Sequence, residues 1–213
     1  YNLMGPKFSI SEVCSTSWQR TKAQIWVLAG LIIGMSIISF TLGAFAMPIQ
    51  KSVTGTIIIN LISCIISSIF ALGYMKNIFQ ALDGEEPQFS AYGQQARKII
   101  TYLVANIFMG IIVLLGICLF VIPGIYLALR LQFYAALIVE DDAGIIESLQ
   151  RSWEITRGQG MSLFMLMLAM IGICILGFIL LGIGIFVAMP LIYMMYAYAF
   201  RKLNAPLQIT EEI

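Results

Sequence analysis

The sequence predicts an all-α integral membrane protein with six transmembrane helices in three hairpins, each preceded by a short cytoplasmic amphipathic helix. Three observations lead to this fold class: an apolar composition, apolar stretches that come in pairs, and charges that lie almost entirely before, between and after the pairs. Hydrophobic residues make up 60% of the chain and charged residues 11%. Soluble domains average about 45–50% apolar residues and about 25% charged residues. We expect a single membrane domain over residues 1–213.

The apolar stretches approach or reach the length of about 20 residues that crosses the hydrocarbon core of a bilayer. The three pairs are 23–47 with 53–77, 99–119 with 120–139, and 161–181 with 185–200. Proline or glycine is expected to break each pair: Pro48 in the first, Pro123 and Gly124 in the second, and Gly182, Gly184 and Pro190 in the third.

A polar segment with apolar residues at helical spacing precedes each pair. In the third segment these residues are Ile145, Ile146, Leu149 and Trp153. Ser9 and Ser90 each follow a phenylalanine and are expected to be N-caps. The chain is therefore expected to repeat one unit three times, over residues 8–77, 89–139 and 145–202.

A short phrase occurs before the first pair as "TSWQRTKA" and before the third as "RSWEITRG". Each copy has a tryptophan with a basic residue four places later, Trp18 with Lys22 and Trp153 with Arg157. Indole rings concentrate at the membrane interface, so we expect these residues to be interfacial anchors. Coincidence in a biased composition is the alternative, since the middle segment has only Tyr92 in this place.

The positions of the charges predict the orientation. Ten of the 12 Lys and Arg residues, with Lys76 at the end of the second stretch among them, and all 11 acidic residues lie on the side of the amino terminus, the segments between the pairs and the segment after the last pair. Lys51 stands alone on the other side, and Arg130 lies inside a stretch. By the positive-inside rule, both termini and the amphipathic segments are expected on the cytoplasmic side of a bacterial inner membrane.

The segment 120–160 carries a set of motifs: Pro123-Gly124, then Arg130, then the acidic run Glu140-Asp141-Asp142, then a phrase running from Glu147 to Gly158. In these motifs the chain resembles a family of bacterial six-helix membrane proteins, uncharacterised domains related to the membrane domain of glycerophosphoryl diester phosphodiesterase. The resemblance implies an architecture. It implies no activity, because the family itself has no settled activity. The catalytic domain of that phosphodiesterase would bring histidines, and the 213 residues contain none.

Catalytic and metal chemistry are not expected. The absence of histidine removes the commonest metal ligand and general base, and no cofactor motif is present. The run Glu140-Asp141-Asp142 is expected to end the fourth span and to cap the next helix. The cysteines are expected to be small buried apolar side chains.

Arg130 is the main candidate for a lipid or ligand contact, because a charge inside a span is costly. Three interpretations stay open: an arginine that snorkels to the far interface beside Tyr126, a residue of a polar cavity or transport path, and a salt bridge to a partner subunit. Asn60 and Asn106, also inside spans, are expected to line such a cavity or to hydrogen-bond between helices.

Gly30 and Gly34 form a small-xxx-small face for helix packing, within the chain or against a neighbouring protomer. The main functional hypothesis is a non-catalytic scaffold or accessory subunit that binds the bilayer and either a protein partner or a second copy, and no nucleic acid. The alternative is a transporter or lipid-handling protein with a polar cavity around Arg130. A membrane-embedded enzyme is the least favoured.

Overall fold

The chain is almost entirely helical. The computed structural model describes residues 6–180 and 182–211, in which 84% of residues are helical and no β-strand occurs. The α-helices are α1 Ile10–Ala23, α2 Ile25–Ala46, α3 Val53–Leu82, α4 Ser90–Ala96, α5 Ile99–Leu119, α6 Val121–Leu131, α7 Tyr134–Asp141, α8 Ile145–Ile155, α9 Gly160–Ile179 and α10 Ile185–Glu211.

Short helices occupy the three expected amphipathic segments, α1, α4 and α8, and longer helical segments follow each of them. The N-cap prediction is right for Ser9, whose Oγ accepts a hydrogen bond of 3.1 Å from the backbone N–H of Glu12. It is wrong for Ser90. Phe89 precedes α4 in a helical conformation, and Ser90 is the first helical residue, bonded through Oγ to Gln88.

Within the described part of the chain, five helical segments are long and apolar enough to cross a membrane: α2, α3, α5, α9, and α6 with α7 taken as one segment. The expected sixth span, 185–200, lies in α10, which is not among the five. Its apolar part is short, because Arg201 and Lys202 follow directly after Phe200. The prediction of long apolar helices is therefore confirmed for five segments.

The breaks agree only in part with the positions of the prolines. Pro48 separates α2 from a 3-10 turn, as predicted. The second break lies at the extended residue Phe120. Pro123 lies in the first turn of α6, where backbone N–H groups have no intrahelical partner, so the proline does not interrupt the helix. Gly124 packs so closely that an added Cβ would lie 2.3 Å from Ile117 Cγ1. Pro190 lies inside α10, so it is not a break.

The expected fourth span is interrupted. Gln132 and Phe133 form a turn that separates α6 from α7, although the apolar sequence runs on without proline or glycine. This segment is also the most enclosed of the long apolar segments, with 56% of its window buried against 6–22% for the others. It is the central element of the fold.

The main core lies toward one end of the molecule, where α1, α3, α7 and α10 meet. Phe133 stacks on Tyr196 with ring centroids 5.0 Å apart, and Phe79 meets Phe200 edge to face at 5.6 Å. Along the rest of their length the apolar helices face outward. The expectation of buried cysteines is wrong for three of the four, since Cys64, Cys118 and Cys174 are exposed on these outer faces.

Candidate functional site

Three consecutive acids, Glu140, Asp141 and Asp142, end α7, and we call them the acidic triplet. Asp142 terminates the helix in the left-handed conformation, with φ 52°. The expectation that the triplet ends this segment is confirmed. The expectation that it caps the next helix is wrong, because the N–H of Gly144 is bound instead by Glu147 Oε2 at 3.1 Å. Successive residues of a helix point in different directions, so each acid meets different partners.

Glu140 joins α3, α7 and α10. Lys76 Nζ donates to its Oε1 at 3.2 Å, and Arg201 donates to its Oε2 at 2.8 Å. Arg201 also holds Asp83, at the end of α3, through two parallel bonds of 2.9 Å. A bidentate guanidinium–carboxylate pair of this kind fixes geometry as well as charge. These pairs hold α3, α7 and α10 together.

Asp141 joins α7 to α8 and α10. Arg151 donates to its carboxylate at 2.8 Å, and the amide of Asn204 donates at 3.1 Å. The Arg151 and Asp141 side chains are both largely buried, which shields this pair from solvent screening more than a surface pair.

Asp142 joins α7 to the start of α5. Lys98 Nζ lies 2.5 Å from its carboxylate and Arg97 lies 3.2 Å away. The same Nζ also donates to the carbonyls of Ile138 and Val139, each at 3.0 Å. The hydrogen bond from Lys98 is the main reason that the pKa of Asp142 lies below its ordinary value. The triplet is therefore an ionic hub that gathers five helical segments.

A further ion pair lies beside the hub. Lys202 of α10 is 3.2 Å from Glu12 of α1, and the hydroxyl of Tyr198 donates to the same carboxylate at 2.5 Å. These donors lower the pKa of Glu12. Sequence reasoning missed the network because its partners lie far apart in the chain.

Arg130 is buried against α8. Its Nε donates to Thr156 Oγ1 at 3.2 Å, one terminal nitrogen donates to the Tyr126 hydroxyl at 3.0 Å, and the other to the Trp153 carbonyl. The guanidinium lies 3.6 Å from the centroid of the Trp153 ring. The pairing with Tyr126 was expected. Arg130 contacts α8, which the sequence predicts on the cytoplasmic side, so snorkelling to the far interface conflicts with the predicted topology.

The turn between α6 and α7 is held by two hydroxyls of α8. Ser152 Oγ donates to the Arg130 carbonyl at 2.7 Å and accepts from the Phe133 N–H at 3.2 Å. Thr156 Oγ1 lies 3.2 Å from the same carbonyl. Backbone groups freed by the interrupted helix thus find partners, as a buried chain requires.

The repeated phrase shares more than its tryptophan. Its full form is Ser-Trp-x-x-Thr-basic, and in both copies the serine and threonine are fully buried, Ser17 with Thr21 and Ser152 with Thr156. The tryptophans and the basic residues, Trp18 with Lys22 and Trp153 with Arg157, lie on the exposed side. Aligning the copies over six positions, instead of noting Trp and the basic residue, would have found the buried pair.

Asn60 and Asn106 lie apart from the contacts of Arg130. Asn60 lines a cleft between α2 and α3. Asn106 lines a cleft between α3 and α5 and accepts a hydrogen bond of 2.8 Å from the Tyr134 hydroxyl. The structure does not bring the three residues together in one cavity.

Gly30 and Gly34 face an open apolar groove between α2 and α3, next to Trp26 and Phe70. A Cβ added at either glycine would meet no atom within 4 Å. The expectation that they pack helices against each other is therefore wrong within this chain.

Comparisons with known proteins give one finding. A family model, a domain of unknown function named DUF7847, matches residues 89–211, from just before α4 to the end of α10. Neither the comparison with curated proteins nor that with solved structures gives a match. The resemblance to the phosphodiesterase membrane domain stays a prediction. Because the family model matches more than half of the chain, the chain belongs to the DUF7847 family.

Proposed function

We propose that this protein is a non-catalytic, multi-pass protein of the bacterial inner membrane, a scaffold or accessory subunit that binds a protein partner, a second copy or lipids. Six spans in three hairpins would cross the bilayer, with α10 supplying the sixth. The helices α1, α4 and α8 and both termini would lie on the cytoplasmic side.

The observation that carries this proposal is the separation of apolar and ionic surface. Trp26, Phe40 and Ile122 are 90%, 81% and 81% exposed on the outer faces of the long segments. The ion pairs of the acidic triplet are gathered at one end. Outward-facing apolar surface of this extent is typical of contact with lipid or protein, and helices can satisfy their own backbone there.

The contacts of the acidic triplet support the non-catalytic part of the proposal. A catalytic carboxylate must face a substrate, whereas Glu140, Asp141 and Asp142 each bind cations from other helices. Their arrangement favours a role in joining α3, α5, α8 and α10 into a stable cytoplasmic layer. Such a layer suits a protein that presents a surface.

Single-cysteine labelling tests the orientation. In a cysteine-free background, we expect a membrane-impermeant maleimide to label Lys51→Cys in spheroplasts with intact inner membranes. Gln19→Cys and Glu154→Cys should react only after permeabilisation. All three parent residues are exposed, so burial does not limit the reaction. Labelling of Gln19→Cys in intact spheroplasts would contradict the proposal.

Lipid transport is the second candidate, favoured by the polar residues of α3. Asn60, Ser63 and Ser67 line the α2–α3 cleft, and Ser67 also lines the adjoining α3–α5 cleft. A polar stripe of this kind suits a headgroup that moves along the protein surface. In vesicles with fluorescent lipid, dithionite would then quench both leaflets, whereas a scaffold leaves the inner leaflet protected.

A further inference from the structure

A polar cavity of about 470 Å³ opens at the charged end of the molecule, between α3, α4, the start of α5 and the end of α7. Its volume is within the range of about 300–1,000 Å³ that small-molecule sites occupy. The chemistry of its wall comes from Lys76, Gln95, Arg97, Lys98, Glu140 and Asp142. Three cations thus face two anions.

The cations differ in how many donors they have left. Lys98 uses all three N–H groups of its ammonium, on two carbonyls and on Asp142. Among the described residues, Lys76 uses one of three, on Glu140, and Arg97 uses one of five, on Asp142. Arg97 is also the most exposed of the three. Lys76 and Arg97 therefore retain donors for an anion.

Gln95 points independently to a ligand. Its residue is only 6% exposed, and its Oε1 is buried with no hydrogen-bond donor among the described residues. A buried acceptor without a donor is costly, so native proteins rarely leave one. Because Gln95 lines the cavity, a rotation of its amide toward the cavity would let a ligand that carries an N–H or O–H group supply the missing donor.

The outer face of α5 next to this cavity is apolar. Ile100, two residues after Lys98, is 75% exposed, and Leu103 lines the α3–α5 cleft. A molecule with its polar group in the cavity would thus have an apolar surface beside it for hydrocarbon.

We propose that this cavity binds the headgroup of a phospholipid, with the phosphodiester on Arg97 and Lys76 and an ammonium or hydroxyl group of the headgroup at Gln95. The inference rests on the proposed membrane placement, which puts the cavity at the inner leaflet. Basic pockets between helices on that side commonly hold anionic lipid groups. Phosphatidylethanolamine has both required groups, whereas phosphatidylcholine has the phosphate without an N–H donor.

Native mass spectrometry of the purified full chain in mild detergent measures this binding, with phosphatidylethanolamine and phosphatidylcholine as the probes. We expect phosphatidylethanolamine to bind more tightly. Arg97→Gln should weaken both lipids by about tenfold or more, since it removes charged hydrogen bonds. Gln95→Met should remove the difference between the lipids and should leave the fold at least as stable, because it deletes an unpaired polar group.

Matched controls are Arg20→Gln and Gln19→Met, which change exposed residues outside the cavity and should bind both lipids as the parent protein does. Unchanged binding in Arg97→Gln, or a retained preference in Gln95→Met, would overturn the proposal. Soluble glycerophosphoethanolamine that displaces the lipid at equal concentration would overturn the lipid assignment. The cysteine labelling does not depend on binding, so lost binding with the expected labelling overturns this site alone.

Discussion

Replacing Arg130 with lysine tests whether the planar guanidinium holds α6 to α8. Arg130 makes three side-chain hydrogen bonds, to Thr156, Tyr126 and the Trp153 carbonyl, and it stacks on the Trp153 ring. A single ammonium cannot reproduce this fork. Two hydrogen bonds are lost at about 1.5 kcal/mol each, together with part of the stacking. The freed hydroxyls bond elsewhere and offset part of this loss. We therefore expect the free energy of unfolding to decrease by about 3 kcal/mol.

Chemical unfolding in mild detergent, followed by the fluorescence of Trp153 with Trp18 and Trp26 replaced by phenylalanine, measures this decrease. Arg157→Lys on the neighbouring exposed surface is the matched control and should change stability by less than about 0.5 kcal/mol. If Arg130→Lys unfolds like the control, the guanidinium contacts do not stabilise the α6–α8 junction and the reasoning is refuted.

Three further substitutions test close packing and charge. Gly73→Ala should lower the free energy of unfolding by about 1–3 kcal/mol, because its Cβ would lie 2.3 Å from the Tyr92 ring. The amide of Asn77 restrains that ring by donating to the Tyr92 hydroxyl at 3.0 Å. Gly30→Ala, on the open groove, should be neutral or stabilising by up to about 1 kcal/mol, and a loss of stability there would show that the groove is filled. The lowered pKa of Asp142 stabilises the fold above its unfolded pKa of about 3.9, and that contribution is lost as the pH falls through the lower folded value. Asp142→Asn should therefore reduce the fall in stability below about pH 4, and an unchanged pH profile would refute the role of Lys98.

Local sequence rules located most of the helices. The apolar run of α5 was expected over 99–119, and the structure has Ile99–Leu119. Ser9 was correctly expected to cap α1, since a serine cap acts on the N–H groups of its own first turn. These features depend on neighbouring residues alone, so sequence patterns contain the required information.

Tertiary contacts decide the features that sequence reasoning missed. The apolar run around Gln132 and Phe133 fits a continuous helix, and the turn there is stabilised by Ser152 and Thr156, about 20 residues further on. The direction of the Arg130 side chain is likewise set by its hydrogen-bond partners in α8. A linear pattern does not show which helix lies on which side of a polar residue.

For the same reason, the sequence does not show which element packs against a face of small residues. The spacing of Gly30 and Gly34 indicates a face suited to close approach, but it does not indicate what approaches it. Gly73, which no spacing rule picked out, makes the close contact with α4.

The central claim is that the ionic end lies at an aqueous interface while the apolar helices cross the bilayer. Spin labels on single cysteines in lipid vesicles test it through their relaxation by oxygen, which concentrates in hydrocarbon, and by a water-soluble nickel complex. The account predicts oxygen access at Ile65 in mid-α3 and Ile107 in mid-α5, and nickel access at Gln19 and Glu154. Nickel access at Ile65 and Ile107 as strong as at Gln19 would contradict it.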